Sequence, residues 1–414
     1  MANISHIPKL PIPSSLLGSE VGSFTEYTVT QRMPAIARKV IAENNFSSEI
    51  NTSLENLAKE LPAGYVQSLL NKTAVDFSAW NTYLELYKGQ RWLDVPWFFA
   101  ETYFFRLILE ITNYFRPGVS QGVDPFELQK SQSLEASLDS IILLCDRANN
   151  WLNNSQLKGE SNQTALIALL YFALWGNRVD LSLWSASETD RSRFDIQTQL
   201  AHILVNDASQ VTELLINSQG GRIDFVVDNA GFELVCDLCL VDFLLSSGLA
   251  NRVYLHLKPH PTFVSDAMIK DVHYTTSFLA ATGNQQLTSF TQRLQDNIAS
   301  ERLVLSEDYF WTSPLAFWEI PNYLKNELAN ASLVIVKGDA NYRRLLGDRH
   351  WNFTTNIADI VCYLPVPMVA LRTLKSEVAV GLKPEVIEKV AKSDSSWLTN
   401  GQWGVIQYCS VKHF

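Results

Sequence analysis

The chain reads as an α/β protein, a helical N-terminal half packed on a doubly wound, mainly parallel, Rossmann-like sheet. Three observations predict this. Apolar residues recur at helical spacing through the first half. From Gly220-Gly221 onward, short β-branched runs alternate with longer helical ones. Most of those runs end on charged residues. We place the division between a mainly helical part, 1–218, and an α/β part, 219–414, that carries the site.

The helical reading rests on stripes. In "LEASLDSIILLCDRANNWL", Leu134, Leu138, Ile141, Ile142, Cys145, Ala148 and Leu152 follow one another at spacings that keep them on one helix face. "VPWFFAETYFFRLILEITNYF" (95–115) is apolar nearly all round, as a helix enclosed by other helices would be. Pro117-Gly118, Gly122 and Pro125 break the connection that follows. The expected strands are "RIDFVV" (222–227), "RVYLHL" (252–257), "RLVL" (302–305), "SLVIV" (332–336), "DIVCYL" (359–364) and "GVIQYC" (404–409). Continuous apolar strands separated by helices indicate a parallel sheet covered on both faces.

Composition excludes several classes. The net charge is −10 and no run of Lys or Arg exceeds two residues, so the basic face of a nucleic-acid binder is missing. An acidic protein that binds an anion needs a local device, either a cation or a few placed basic residues. The five cysteines are scattered and odd in number, which fits reduced thiols rather than a disulfide framework. Cys236 and Cys239 form a C-x-x-C inside an apolar helical run, where core packing is the expected role. The N-terminal stretch lacks the pattern of a secretory signal. The most apolar helical stretch, 164–175, is short of the roughly 20 residues that span a bilayer. The expectation is a soluble intracellular protein, in the cytoplasm with the nucleus also open, that engages neither membrane nor nucleic acid. The sequence is silent on protein partners.

In open α/β sheets, ligands bind where the strands end at their carboxyl edge. There the sequence puts Asp228-Asn229, Lys258-Pro259, Ser306-Glu307-Asp308 and Lys337-Gly338-Asp339, with "LRTLK" near the last expected strands. Asp228 and Asn229 stand between an apolar strand and an apolar helix. A polar pair in that place is costly unless something satisfies it. As helix starters the two could simply cap the following helix. Asp266, after the next strand, changes the balance. Two carboxylates and an amide oxygen form a hard-oxygen set suited to a divalent metal ion. Gly338 and Asp339 start a helix whose N–H groups can face a phosphate. Arg372 and Lys375 add positive charge, with Lys375 the preferred phosphate ligand. The P-loop, dinucleotide-fold, nucleophile-elbow and zinc-protease motifs are absent.

"DNAGFE", "FVSD", "KGDANYRRL" and "RTLK" occur in that order, and together they resemble the damage-control phosphatase family. The branch is the one also described as acidic-residue (protein-glutamate) methyltransferase-like, marked by R-T-x-K, which Arg372, Thr373 and Lys375 match. "PWFFAETYFFRLI" extends the likeness into the helical half. The resemblance implies a metal-dependent phosphatase, with small sugar phosphates of the fructose 1-phosphate and fructose 6-phosphate class as substrates. Manganese or magnesium would be the metal, with cobalt or nickel as alternatives. It further implies that Asp228, Asn229 and Asp266 hold the metal, with Asp228 and Asp266 as the catalytic carboxylates. Gly338, Asp339, Ala340, Asn341, Tyr342, Arg372 and Lys375 would hold substrate, and Glu233 would line the same pocket. Glu101 and Arg106 are candidates to close the site from the helical half. The rival reading is an S-adenosylmethionine-dependent protein-glutamate methyltransferase. Against it, a glycine-rich turn is missing after the first strand, and methyl transfer has no need of two carboxylates around a metal.

Overall fold

The structure, a computed structural model, describes residues 7–155, 160–176, 200–218 and 220–410. The first six residues of the N-terminal stretch thus lie outside the described residues. After a helical lead-in that starts at Phe24, the chain forms helices α1 (Met33–Glu43), α2 (Ser48–Glu60), α3 (Phe77–Glu85) and α4 (Trp97–Ile111). Together they enclose a core of their own that includes Met33, Leu57, Trp80, Trp92 and Phe104. Helix α4 is buried on every side from Trp97 to Arg106, as its unbroken apolar run requires.

Helices α5 (Glu127–Ala136), α6 (Leu138–Ser155) and α7 (Glu160–Trp175) lead to the sheet. Its seven strands are β1 (Ile203–Asn206), β2 (Gly220–Val226), β3 (Ala250–Leu257), β4 (Leu303–Glu307), β5 (Leu333–Lys337), β6 (Met368–Thr373) and β7 (Gly404–Cys409). They lie in the order β1-β7-β6-β5-β2-β3-β4. All neighbours are parallel except β6 and β7, so β1 and β7 run against the other strands. Alternation along the strands divides the core. Ile223, Phe225 and Ile335 face the layer of α6, α7 and the helix after β2, whereas Val226, Val334 and Val336 face the segment 310–364. Both faces are covered, as a parallel sheet demands.

Two features depart from the sequence reading. Residues 359–364 are not a strand: a helical turn, Ile357–Ile360, opens the segment, and β6 follows at Met368. Ile357, Ile360, Val361 and Leu364 are buried at helical spacing, with Tyr363 buried beside them. The β-branched composition of the run pointed to a strand, and its period did not. Strand β1 was not expected at all. It is four residues long and pairs only with β7 at the sheet edge. Because β1 and the helices α6 and α7 share the sheet and its core, a division at 218/219 does not separate sheet from helices.

Cys145, Cys236 and Cys239 are all buried, with the sulfurs of Cys145 and Cys239 3.9 Å apart. They pack as small apolar groups. His260, just beyond β3, is buried with Nε2 3.9 Å from Asp76. Burial pushes its pKa down from 6.5 to about 4, against the pull of Asp76. A histidine kept neutral by the fold contributes stability above its unfolded pKa and loses it as the pH falls towards the folded one. Calorimetric unfolding should therefore show a loss of up to about 3 kcal/mol between pH 6.5 and 4 from this residue. His260→Gln should flatten that slope; an unchanged pH profile would count against it.

Candidate active site

The chain reverses its direction of winding at β2. It proceeds to β3 and β4 on one side, then crosses to β5 on the other. A crevice therefore opens between the carboxyl ends of β2 and β5. Beyond β2 the backbone continues through Val227 to Asp228 and Asn229, then turns at Gly231 into α8, which the residue run Phe232–Ser246 forms. Gly231 has φ 71°, and a Cβ there would stand 2.7 Å from the Ser133 hydroxyl, so glycine is required twice over.

Backbone pairing brings the second carboxylate in. Asn229 and Asp266 form an antiparallel bridge, with Ala267 N–H donating to Asp228 O at 2.8 Å and Ala230 N–H to Ser265 O at 2.7 Å. The turn before Asp266 is strained. Phe263 and Val264 have φ of 45° and 68°, and Ser265 N–H donates back to Phe263 O at 2.8 Å. Two such non-glycine residues cost on the order of 1–3 kcal/mol each. Packing offsets this: the Phe263 ring lies on Phe98 and Phe105 of α4, with centroids 6.0 and 5.2 Å away. The helical half therefore reaches the site through Phe263.

The side chains form a dense polar cluster. Asn229 Nδ2 donates to Asp228 Oδ2 at 2.7 Å and to Glu233 Oε2 at 2.9 Å, while its Oδ1 accepts from Ser265 at 2.6 Å. An N–H edge thus stands where two carboxylates invite a cation, and a half-turn of the amide would present an oxygen instead. Burial, then Asp266 and Glu233, raise the Asp228 carboxyl well above its ordinary value. Asp266 is raised too, chiefly by burial, with Lys258 opposing. Burial would also raise Glu233, but Lys337, Lys375 and Asn229 outweigh it and hold that carboxyl below its usual range.

Two buried lysines lie under the cluster. Lys337, the last residue of β5, is paired with Asp237 at 3.0 Å and Glu233 at 3.2 Å. Burial pushes Asp237 up to about 7 despite that partner. Lys258, at the end of β3, lies 3.3 Å from Asp266. The sequence reading places both lysines at strand ends but gives neither a role in the site, and it does not single out Asp237. The available signal was a lysine ending an apolar strand, which does not reveal burial.

Across the crevice, Gly338 opens α9, whose first helical residues run to Leu345. Gly338 has φ 78°, and a Cβ on it would fall 1.9 Å from Asp228 Oδ2. Only glycine lets the Asp228 carboxylate lie over this helix start. Asp339 Oδ1 accepts from Arg372 Nε at 2.8 Å, Lys375 N at 3.1 Å and Ser376 Oγ at 3.0 Å. Burial works to raise Asp339, but Arg372 and Arg343 hold it below the ordinary carboxylate range. Lys375 is exposed, and its charge acts on both Asp228 and Glu233.

Other expected residues have different work. Arg372 directs its guanidinium to Asp339, to Ser376 and to the Val378 carbonyl, and it stacks over Tyr342, so it fastens the R-T-x-K loop. Tyr342 is buried in the sheet's second core, with its hydroxyl on Gln407 at 2.7 Å. Asn341 donates to the Val227 and Lys337 carbonyls, tying β2 to β5. Ala340 is half-buried and offers only backbone. Glu101 pairs with Arg343, which also holds Asp348, and Arg106 with Asp76 and Glu110. Glu101 and Arg106 thus serve as buried ties rather than as a lid.

Comparison with known proteins bears on this geometry. The family model described as the damage-control phosphatase ARMT1-like domain matches residues 28–390. The chain belongs to the damage-control phosphatase family. Among curated relatives of this family, the damage-control phosphatase ARMT1 of Danio rerio is 33% identical, covering 96% of this chain and 97% of the relative. The human protein of that name is 34% identical over 96% of this chain and 98% of its own length. Among solved structures, a DUF89 family protein from Pyrococcus horikoshii matches over 92% of this chain and 97% of that one, at 13% identity and a TM-score of 0.47. Membership in the damage-control phosphatase family implies a phosphatase, hence a hydrolase. Among the described residues, no helix of this family member is long and apolar enough to cross a membrane.

Proposed function

We propose that the protein is a divalent-metal-dependent phosphatase acting on small sugar phosphates, of the fructose 1-phosphate and fructose 6-phosphate class. The observation that carries this reading is the charge balance of the crevice. Asp228, Asp266, Glu233 and Asp237 supply four carboxylates, and Lys258 and Lys337 supply two buried ammonium groups. Fully ionised, these six groups carry a net charge of −2, which one divalent cation would balance, with the exposed Lys375 left to meet the substrate phosphate. Asp266 Oδ2 is buried and accepts no aligned hydrogen bond; with the Lys258 ammonium 3.3 Å away as its ion-pair partner, it still has a lone pair for a cation. Asp228, Asn229 and Asp266 would hold the ion, with manganese or magnesium suited to the oxygen set and cobalt or nickel as alternatives. A second acidic group, Asp124, Glu127 and Asp271, fits an ion less well because Lys130 and Lys270 already pair with it.

When bound, the ion neutralises phosphoryl oxygens and favours attack by water. The chain's own groups supply the rest. Lys375 and the N–H groups at the start of α9 would face the phosphate and meet the charge that spreads over its oxygens. Asp339, with Oδ2 free of hydrogen bonds among the described residues, suits a sugar hydroxyl. Water's oxygen joins phosphorus, the ester P–O bond breaks, and one proton of the attacking water passes to the leaving oxygen, so the sugar departs as an alcohol and the other product is inorganic phosphate. Asp228 and Asp266 stay ionised throughout as ligands, which favours direct attack over a phospho-aspartate. The proposed setting is the cytoplasm or nucleus.

Phosphate release from fructose 1-phosphate, fructose 6-phosphate and a small ester panel, with manganese or magnesium and with chelator, tests the reading. Turnover lost with chelator supports it. Folded, metal-loaded protein that releases phosphate from no ester overturns it and brings the methyl-donor assay forward. Lys375→Met should lower kcat/KM roughly a hundredfold, the scale for one transition-state donor. Its melting temperature should not move, since the side chain is exposed; wild-type kinetics would remove Lys375 from the site.

A further inference from the structure

Lys258 is 1% exposed, and each of its three N–H bonds has a partner in reach. The ammonium lies 3.0 Å from Val227 O, 3.4 Å from Asn341 Oδ1 and 3.3 Å from Asp266 Oδ2. Those three groups come from the end of β2, from α9 and from the segment after β3. The backbone contacts are partly redundant, because Asn341 Nδ2 also donates to Val227 O at 3.1 Å. The Asp266 contact is not redundant, since no other cation lies within ion-pair distance of that carboxylate among the described residues. A hydrophobic residue could fill the space, yet burying an ammonium is costly unless its charge is used.

We propose that Lys258 is a positioning residue of the metal site, a fixed internal cation that orients the Asp266 carboxylate and loosens the site's hold on its divalent ion. This rests on the metal reading given above. The physical reason is Coulombic. A permanent positive charge beside one ligand repels the incoming ion, and it also keeps the carboxylates together when the ion is away. The result is a site that stays assembled while its metal exchanges.

Two measurements test this, neither depending on turnover. The first is a double-mutant cycle on the stability of chelator-treated protein, using Lys258→Met, Asp266→Asn and both together. If Lys258 acts through Asp266, the methionine should be much less costly in the Asp266→Asn background. Additive losses would reduce Lys258 to a backbone fastener and overturn the proposal. The second is calorimetric titration of manganese and of magnesium into wild type and Lys258→Met. The variant should bind either ion roughly tenfold more tightly, the scale expected for removal of one nearby like charge. Equal or weaker binding, with wild type binding normally, overturns the proposal alone. Wild type that binds neither ion overturns the metal reading together with it, and the first measurement still reports whether the two side chains are coupled.

Discussion

Asp228→Asn is expected to abolish phosphate release, by roughly a thousandfold or more, and at the same time to stabilise the metal-free protein near neutral pH. The two effects have one cause. Asp228 is buried beside Asp266 and Glu233, and all three raise the cost of its charge. Because its folded pKa is raised, its contribution to stability is fully present below the unfolded value and is lost as the pH rises through the folded one. The neutral amide avoids that loss, so the chelator-treated variant should melt at a higher temperature than wild type at neutral pH. The gain should vanish in acid, where the wild-type carboxyl is protonated in both states. Calorimetry in chelator across pH, paired with the phosphate assay, checks both parts. A variant that still turns over within tenfold of wild type would remove Asp228 from the chemistry.

Gly338→Ala should be nearly as damaging, although it adds only a methyl group. That methyl would sit 1.9 Å from Asp228 Oδ2 and 2.1 Å from its Cγ, on a backbone with φ 78°. The left-handed conformation alone costs a non-glycine residue roughly 1–2 kcal/mol. The overlap then forces either the Asp228 carboxylate or the start of α9 to move. A displacement of about 1 Å at a reacting centre can cost a hundredfold in rate. We expect turnover to fall by about that factor and stability by roughly 2–4 kcal/mol. A folded variant with wild-type kcat would mean that the close approach of Asp228 to this helix has no catalytic importance.

Much of the fold is legible where local periodicity is strong. The runs at 222–227, 252–257 and 332–336 are rich in β-branched and other apolar residues despite Asp224 and His256 within them, and they form β2, β3 and β5 in the interior of the sheet. Helix α4 is readable for the same reason. Edge elements are less so. Strand β1 has only four residues and one partner, so little apolar pattern marks it. At 359–364 composition and period disagreed, and the period was the better guide.

The candidate site divides in a similar way. Asp228 and Asn229 stand out because polar residues between two apolar elements need an explanation that their neighbours do not supply. Lys258 and Lys337 look in sequence like solvated strand ends. Their burial depends on what the crossover connections bring over them, including Asn341, Asp266 and the Ala173 carbonyl. Arg372 is the converse case. It reads as a free anion ligand, yet Asp339, Ser376 and Val378 take up its donors.

By itself the sequence determined the α/β class, the central strands and the residues that end them, because side-chain period and strand-terminal chemistry are written within a few residues of one another. Tertiary structure decided which of those ends meet. The strand order β5-β2-β3 places Asp228 over Gly338 and beside Asp266, and it buries two lysines beneath them. Contacts between residues a hundred positions apart follow from that order and from the packing of whole layers, which no short stretch of chain contains.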